Sequence, residues 1–123
     1  MTGSITIVVQ GRPVPKGRPR VVRGRAYTPR ETVIAERKIA SIARSAWRQP
    51  LVGPVVVEAD FRFADSRSRG DVDNLVKLVL DALIGLAYAD DRQVVELHAT
   101  VVRADAAATA ITVSPAPPPK DGP

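Results

Sequence analysis

Val55 to Phe63 alternates for nine residues, with Val55, Val57, Ala59, Phe61 and Phe63 on one side and Glu58, Asp60 and Arg62 on the other. A period of two over that length predicts a strand with one face buried and the other toward water. The sheet it belongs to needs cover on its apolar face, and two stretches of the chain can supply it.

The first begins at Thr28-Pro29-Arg30-Glu31, which reads as a helix start: Thr28 as N-cap, Pro29 at the first helical position, and Glu31 three residues after the cap to close a capping box. Its apolar residues Val33, Ile34, Ile39, Ile42, Ala43 and Trp47 approximate one stripe, and Pro50 and Gly53-Pro54 end it. The second runs from Asp73 to Leu86, with Leu75, Leu78, Val79, Ala82, Leu83 and Leu86 toward the sheet and Gly85 weakening the last turn.

Three more strands follow from β-branched alternation: Ser4–Gln10, Gln93–Val102 and Ala108–Ser114, the last two expected to pair as a hairpin through Arg103 to Ala107. The order is β-α-β-α-β-β. This implies an α+β fold, a single compact domain over residues 1–114 with a mixed sheet covered by two helices. Residues 115–123 hold five prolines in nine positions and are expected to form a disordered tail.

The chain has no cysteine, which excludes disulfide scaffolds, thiolate zinc sites and cysteine nucleophiles. The N-terminal run has neither a basic lead nor a long apolar segment, so the expected location is the cytoplasm, with no membrane partner. Charge is unevenly placed. Residues 1–30 contain Arg12, Lys16, Arg18, Arg20, Arg23, Arg25 and Arg30 and no acid, a local +7 in a chain of net +5. Residues 11–25 also carry three prolines and three glycines, so they form a loop or irregular ribbon. A long basic arm is the usual electrostatic footprint of a phosphate backbone, although a solvated loop that only aids solubility has the same composition.

From Asp71 to Asp91 the chain gathers five carboxylates, Asp71, Asp73, Asp81, Asp90 and Asp91, with Lys77 among them. Singly, Asp71 reads as a helix cap, Asp73, Lys77 and Asp81 as an i,i+4 ladder, and Asp90-Asp91 as a turn. Together they repel unless a cation or a basic partner is present. A helix start and a turn could bring Asp71, Asp73 and Asp91 to one point, and a few such oxygens with water and phosphate hold Mg²⁺.

The pattern Asp71-Val72-Asp73-Asn74-Leu75, Lys77, Asp81-Ala82-Leu83, then Asp90-Asp91 and Gln93-Val94, resembles the RusA family of Holliday junction resolvases. Gly11 to Arg20, followed by Tyr27-Thr28-Pro29, is similar to the opening of that family's phage and prophage members. The resemblance implies a homodimeric, Mg²⁺-dependent endodeoxyribonuclease, with Mn²⁺ as a substitute, acting on four-way or branched DNA by paired symmetric nicks in recombination and repair. It places the metal ligands on Asp71, Asp73 and Asp91, the essential lysine on Lys77, and Asp90 in support. The segment before the acid pair is one residue shorter than in the founding member, so the metal-facing acid is Asp90 or Asp91. The DNA contacts expected from charge are Arg12, Lys16, Arg18, Arg20, Arg23, Arg25, Arg67 and Arg69. A related nuclease acting on branched phage replication intermediates, or a non-catalytic branched-DNA-binding module, is the alternative. His98, the only histidine, is expected to be structural.

Overall fold

The computed structural model describes residues 3–67 and 70–117. Its main sheet has four strands, β1 (Ile5–Gln10), β4 (Val55–Phe63), β5 (Val94–Arg103) and β6 (Ala108–Pro115), in the order β1-β6-β4-β5. β6 runs antiparallel to both β1 and β4, whereas β4 and β5 are parallel. Two helices, α1 (Arg30–Ala46) and α2 (Val72–Leu83), cover one face. Between β1 and α1 a small second sheet, β2 (Arg20–Val22) with β3 (Arg25–Tyr27), forms an antiparallel hairpin. The main elements therefore follow the expected β-α-β-α-β-β order in a single compact domain.

The alternation that predicted β4 is realised in full. Val55, Val57, Ala59, Phe61 and Phe63 are all buried, at the centre of a core that includes Leu75, Leu78, Val79 and Leu83 from α2, Ile39, Ala43 and Trp47 from α1, and Ile111 and Val113 from β6. Each large apolar side chain removed from water here contributes roughly 1.5–3 kcal/mol before conformational entropy is counted.

Several expectations are corrected. β5 and β6 are not a hairpin, because β4 lies between them. The short link after β5 crosses the end of β4, where the Ala104 N–H donates to the Phe63 carbonyl at 3.0 Å. β4 takes an interior position between β6 and β5, and β5 becomes an edge whose parallel pairing with β4 is reached through α2, the long crossover a parallel pair needs.

The capping box of α1 is absent: Pro29 itself is the N-cap, extended at φ −56 and ψ 146, and its carbonyl accepts from Thr32 and Val33. A residue before proline is driven to extended backbone, which sets Thr28 one step outside the helix. Ile34 is 55% exposed rather than part of the apolar stripe, and Thr32 is buried in its place. α2 ends at Leu83, before Leu86, because Gly85 takes a φ of +83 and turns the chain, its N–H bonded to the Tyr88 carbonyl. At the end of the domain, β6 continues through Pro115, and the Ala116 N–H donates to the Pro54 carbonyl. Residues 118–123 of the expected tail lie outside the described residues, as does Arg69.

Candidate active site and nucleic-acid interface

α2 is held by its whole inner face, since Leu75, Val76, Leu78, Val79, Ala82 and Leu83 are buried. Val76 was not among the residues expected inside. Asp71 occupies the N-cap position and Asp73 the first turn, where the helix dipole favours anions. The cap is made by backbone: Asn74 and Leu75 N–H groups donate to the Asp71 carbonyl, each at 3.1 Å, and the Asp71 carboxylate accepts no capping hydrogen bond. Asp71, Asp73 and Lys77 are exposed, and among the described residues no ion pair engages their side chains. The expected Asp73–Lys77–Asp81 ladder does not form. Asp81 pairs instead with Lys16 at 3.2 Å.

Just before α2, Gly70 adopts φ +75, and a Cβ there would lie 3.1 Å from the Pro15 ring. The residue ahead of the acid motif must therefore be small and left-handed.

The second acid pair divides its work. Asp90 caps a 3₁₀ turn, Asp91–Gln93: its carboxylate accepts from the Arg92 N–H at 2.9 Å and pairs with the Arg92 guanidinium at 3.0 Å. Those Arg92 contacts hold its carboxyl below the usual range. Gln93 completes a capping box by accepting from the Asp90 N–H, and its amide nitrogen donates to the Leu51 and Gly53 carbonyls at 2.9 and 2.8 Å. Gln93 therefore sets where Asp91 stands, and its signal in the sequence was the Asp-x-x-Gln spacing of a capping box. The main commitment of the Asp90 carboxylate is to this turn, while no basic side chain pairs with Asp91 among the described residues.

Tyr88, which the sequence did not single out, is fully buried, with its hydroxyl donating to the Leu80 carbonyl at 2.8 Å. Burial raises its pKa, and the charges of Asp91 and Asp81 raise it further.

The described residues contain no group of three or more acidic, histidine or cysteine side chains able to hold a metal ion. The helix start carries Asp71 and Asp73, and the Gln93-anchored turn carries Asp91, so the two parts of the expected acid set stand on separate elements. The donors themselves suit a hard cation: they are carboxylates on firm backbone, and Mg²⁺ commonly takes only one or two from protein, with water and substrate phosphate completing its shell.

The basic arm separates into root and tip. At the root, Arg12 pairs with Asp65 at 3.1 Å and lies over the Phe63 ring at 5.0 Å, and Lys16 bridges Glu36 at 2.7 Å and Asp81 at 3.2 Å. Desolvation pushes Asp65 up, but hydrogen bonds from Arg12 and Arg67 outweigh it and leave its pKa lowered. Both root residues, expected as DNA contacts, are thus committed to acids of this chain, and Arg67 pairs with Asp65 at 3.2 Å although largely exposed.

At the tip, residues 18–28 are exposed throughout. Arg23 and Gly24 both have positive φ, +52 and +77, the geometry of a two-residue turn matched to strand twist. Arg20, Val22, Arg25 and Tyr27 share one face of the hairpin, opposite Val21 and Ala26. Arg18, Arg20, Arg23 and Arg25 form no ion pair among the described residues. His98 lies on β5, exposed, 3.1 Å from Glu96. Among the described residues, no helix is long and apolar enough to cross a membrane.

The family model described as Endodeoxyribonuclease RusA matches residues 10–114, from the end of β1 almost to the end of β6. No curated protein matches the chain.

Proposed function

Since the chain belongs to the RusA endodeoxyribonuclease family, we propose that it is a Mg²⁺-dependent endonuclease that resolves four-way DNA junctions as a homodimer. The observation that carries this reading is the placement of Asp71, Asp73 and Lys77, whose side chains make no ion pair among the described residues, at the start of a helix buried along its inner face. Chemistry that must be held within fractions of an ångström belongs on such an element.

Asp71, Asp73 and Asp91 are the residues that would hold the metal, which would supply a water of lowered pKa and neutralise charge on the scissile phosphate. Lys77, one turn after Asp73, lies where it would stabilise phosphate charge or orient the nucleophile. Asp90 holds the turn that presents Asp91. The hairpin arginines bind backbone phosphate by charge, an interaction that weakens steeply with salt. A four-way junction has two-fold symmetry and needs two matched cuts, which a C₂ dimer delivers.

The test is cleavage of a mobile four-way junction with and without Mg²⁺, with both nicks mapped. Paired symmetric nicks that need Mg²⁺ support the reading. Equal cutting of linear duplex removes junction specificity, and binding with no cutting in Mg²⁺ or Mn²⁺ leaves a branched-DNA-binding module.

A further inference from the structure

We propose that Lys16 is a positioning residue that ties the basic arm to the acid-bearing end of α2, a role that rests on the nuclease reading above. Its charge suggested a phosphate contact, but its surroundings oppose that. The side chain is 23% exposed, and its ammonium donates to Glu36 on α1 and pairs with Asp81 on α2. Burial lowers its pKa, yet the hydrogen bonds to Glu36 and Asp81 together raise it above the ordinary value, so the ammonium is held in the charged form.

The backbone around it is equally committed. The Lys16 N–H donates to the Asn74 carbonyl at 2.9 Å, on the residue after Asp73. The Gly17 N–H donates to Thr32 Oγ1 at 3.0 Å on α1, and the Pro15 ring fills the space beside Gly70, immediately before Asp71. Residues 15–17 therefore run between the two helices and touch α2 at its beginning and, through Asp81, one turn beyond Lys77.

Removing the ammonium leaves Glu36 and Asp81 as like charges across the α1–α2 contact without the cation that bridges them. A loosened arm root would shift Asp71 and Asp73 relative to Asp91, and small misplacements of catalytic groups can cost up to about 100-fold in rate. Lys16 acts through these residues and need not touch DNA.

The experiment compares wild type, Lys16→Met and Lys16→Arg by three readouts: four-way junction affinity against salt in EDTA, the single-turnover cleavage rate at saturating protein in Mg²⁺, and amide hydrogen exchange in the free protein. For Lys16→Met, affinity within about twofold and an unchanged salt slope are expected. The saturating rate should fall about tenfold or more, and exchange at Asn74 and Leu75 should quicken about tenfold. Lys16→Arg, which can still span both carboxylates, should recover most of the rate and protection.

A salt slope lowered by about one marks a phosphate contact and overturns the proposal. So does a saturating rate within about twofold of wild type, whatever exchange does. Should Lys16→Met fail to fold, Asp81→Asn cuts the same tie from the α2 side and is expected to move rate and exchange in the same direction. A wild-type protein that cuts no junction defeats the nuclease reading, and exchange then decides for Lys16 alone: unchanged protection at Asn74 and Leu75 overturns it.

Discussion

The start of α2 and the tip of the arm both present ionised side chains that make no ion pair among the described residues, yet they are held by opposite means. Asp71 and Asp73 stand on a helix buried along its inner face, whereas Arg20, Arg23 and Arg25 stand on a hairpin whose every residue is exposed. A two-stranded hairpin alone is marginally stable in water. Rigid backbone suits groups that act on one bond, and compliant backbone suits groups that follow a charged strand. Between the two lies the arm root, whose cations are spent on acids of this chain, Arg12 on Asp65 just after β4 and Lys16 on Glu36 and Asp81 of the two helices.

The largest test of that division is Asp73→Asn. It is expected to lower the saturating cleavage rate by about 10²–10³-fold, the scale for losing one preorganised contact to developing charge, with junction affinity unchanged. Retained cleavage would remove Asp73 from the site and blur the contrast.

Next comes the support beneath it. Leu75 is fully buried, so Leu75→Ala is expected to cost about 2–5 kcal/mol in denaturant unfolding. Val21→Ser at the tip, where 68% of the residue is exposed, should stay within about 0.5 kcal/mol. Equal losses would mean that the hairpin is part of the cooperative core.

A smaller effect is expected from Arg20→Ala with Arg25→Ala: affinity about tenfold weaker, roughly 1.4 kcal/mol, and a salt slope lowered by about two, with the saturating rate retained. A lost rate at saturation would give the tip a catalytic part.

The smallest concerns pH. The folded pKa of Asp90 lies below its ordinary value of 3.8, so its contribution to the 3₁₀ turn is present above that value and lost as pH falls through the folded value. In an acid titration followed by NMR, the Arg92 and Gln93 amides should move with a midpoint below 3.8. Amides from Val21 to Ala26 should stay still, because the tip carries no acid. Movement of both would couple the regions.

Some features were legible because they depend on spacing along the chain. The alternation of Val55 to Phe63 named the strand and its buried face, and the leucine spacing after Asp73 named the inner side of α2. The hairpin expected from β5 and β6 failed for the opposite reason: adjacency in sequence does not say that β4 will take the place between them. The capping box at Thr28 failed locally, since the proline that signalled a helix start also pushed Thr28 out of reach of it.

The acids were equally visible as residues and unequal in ways the sequence left open. Asp81 and Asp90 find cations in Lys16 and Arg92, while among the described residues Asp71 and Asp73 do not. Lys16 lies far from Asp81 in sequence, and only the packing of α1 against α2 brings the two together with Glu36.

The sequence by itself determined which residues could be buried, where the two helices and the main strands would form, and that one end of the chain was basic while a later stretch was acidic. These follow from local covalent geometry and side-chain period. The tertiary structure decided strand order and which cations meet which carboxylates, because each depends on distances across the core that no spacing along the chain encodes.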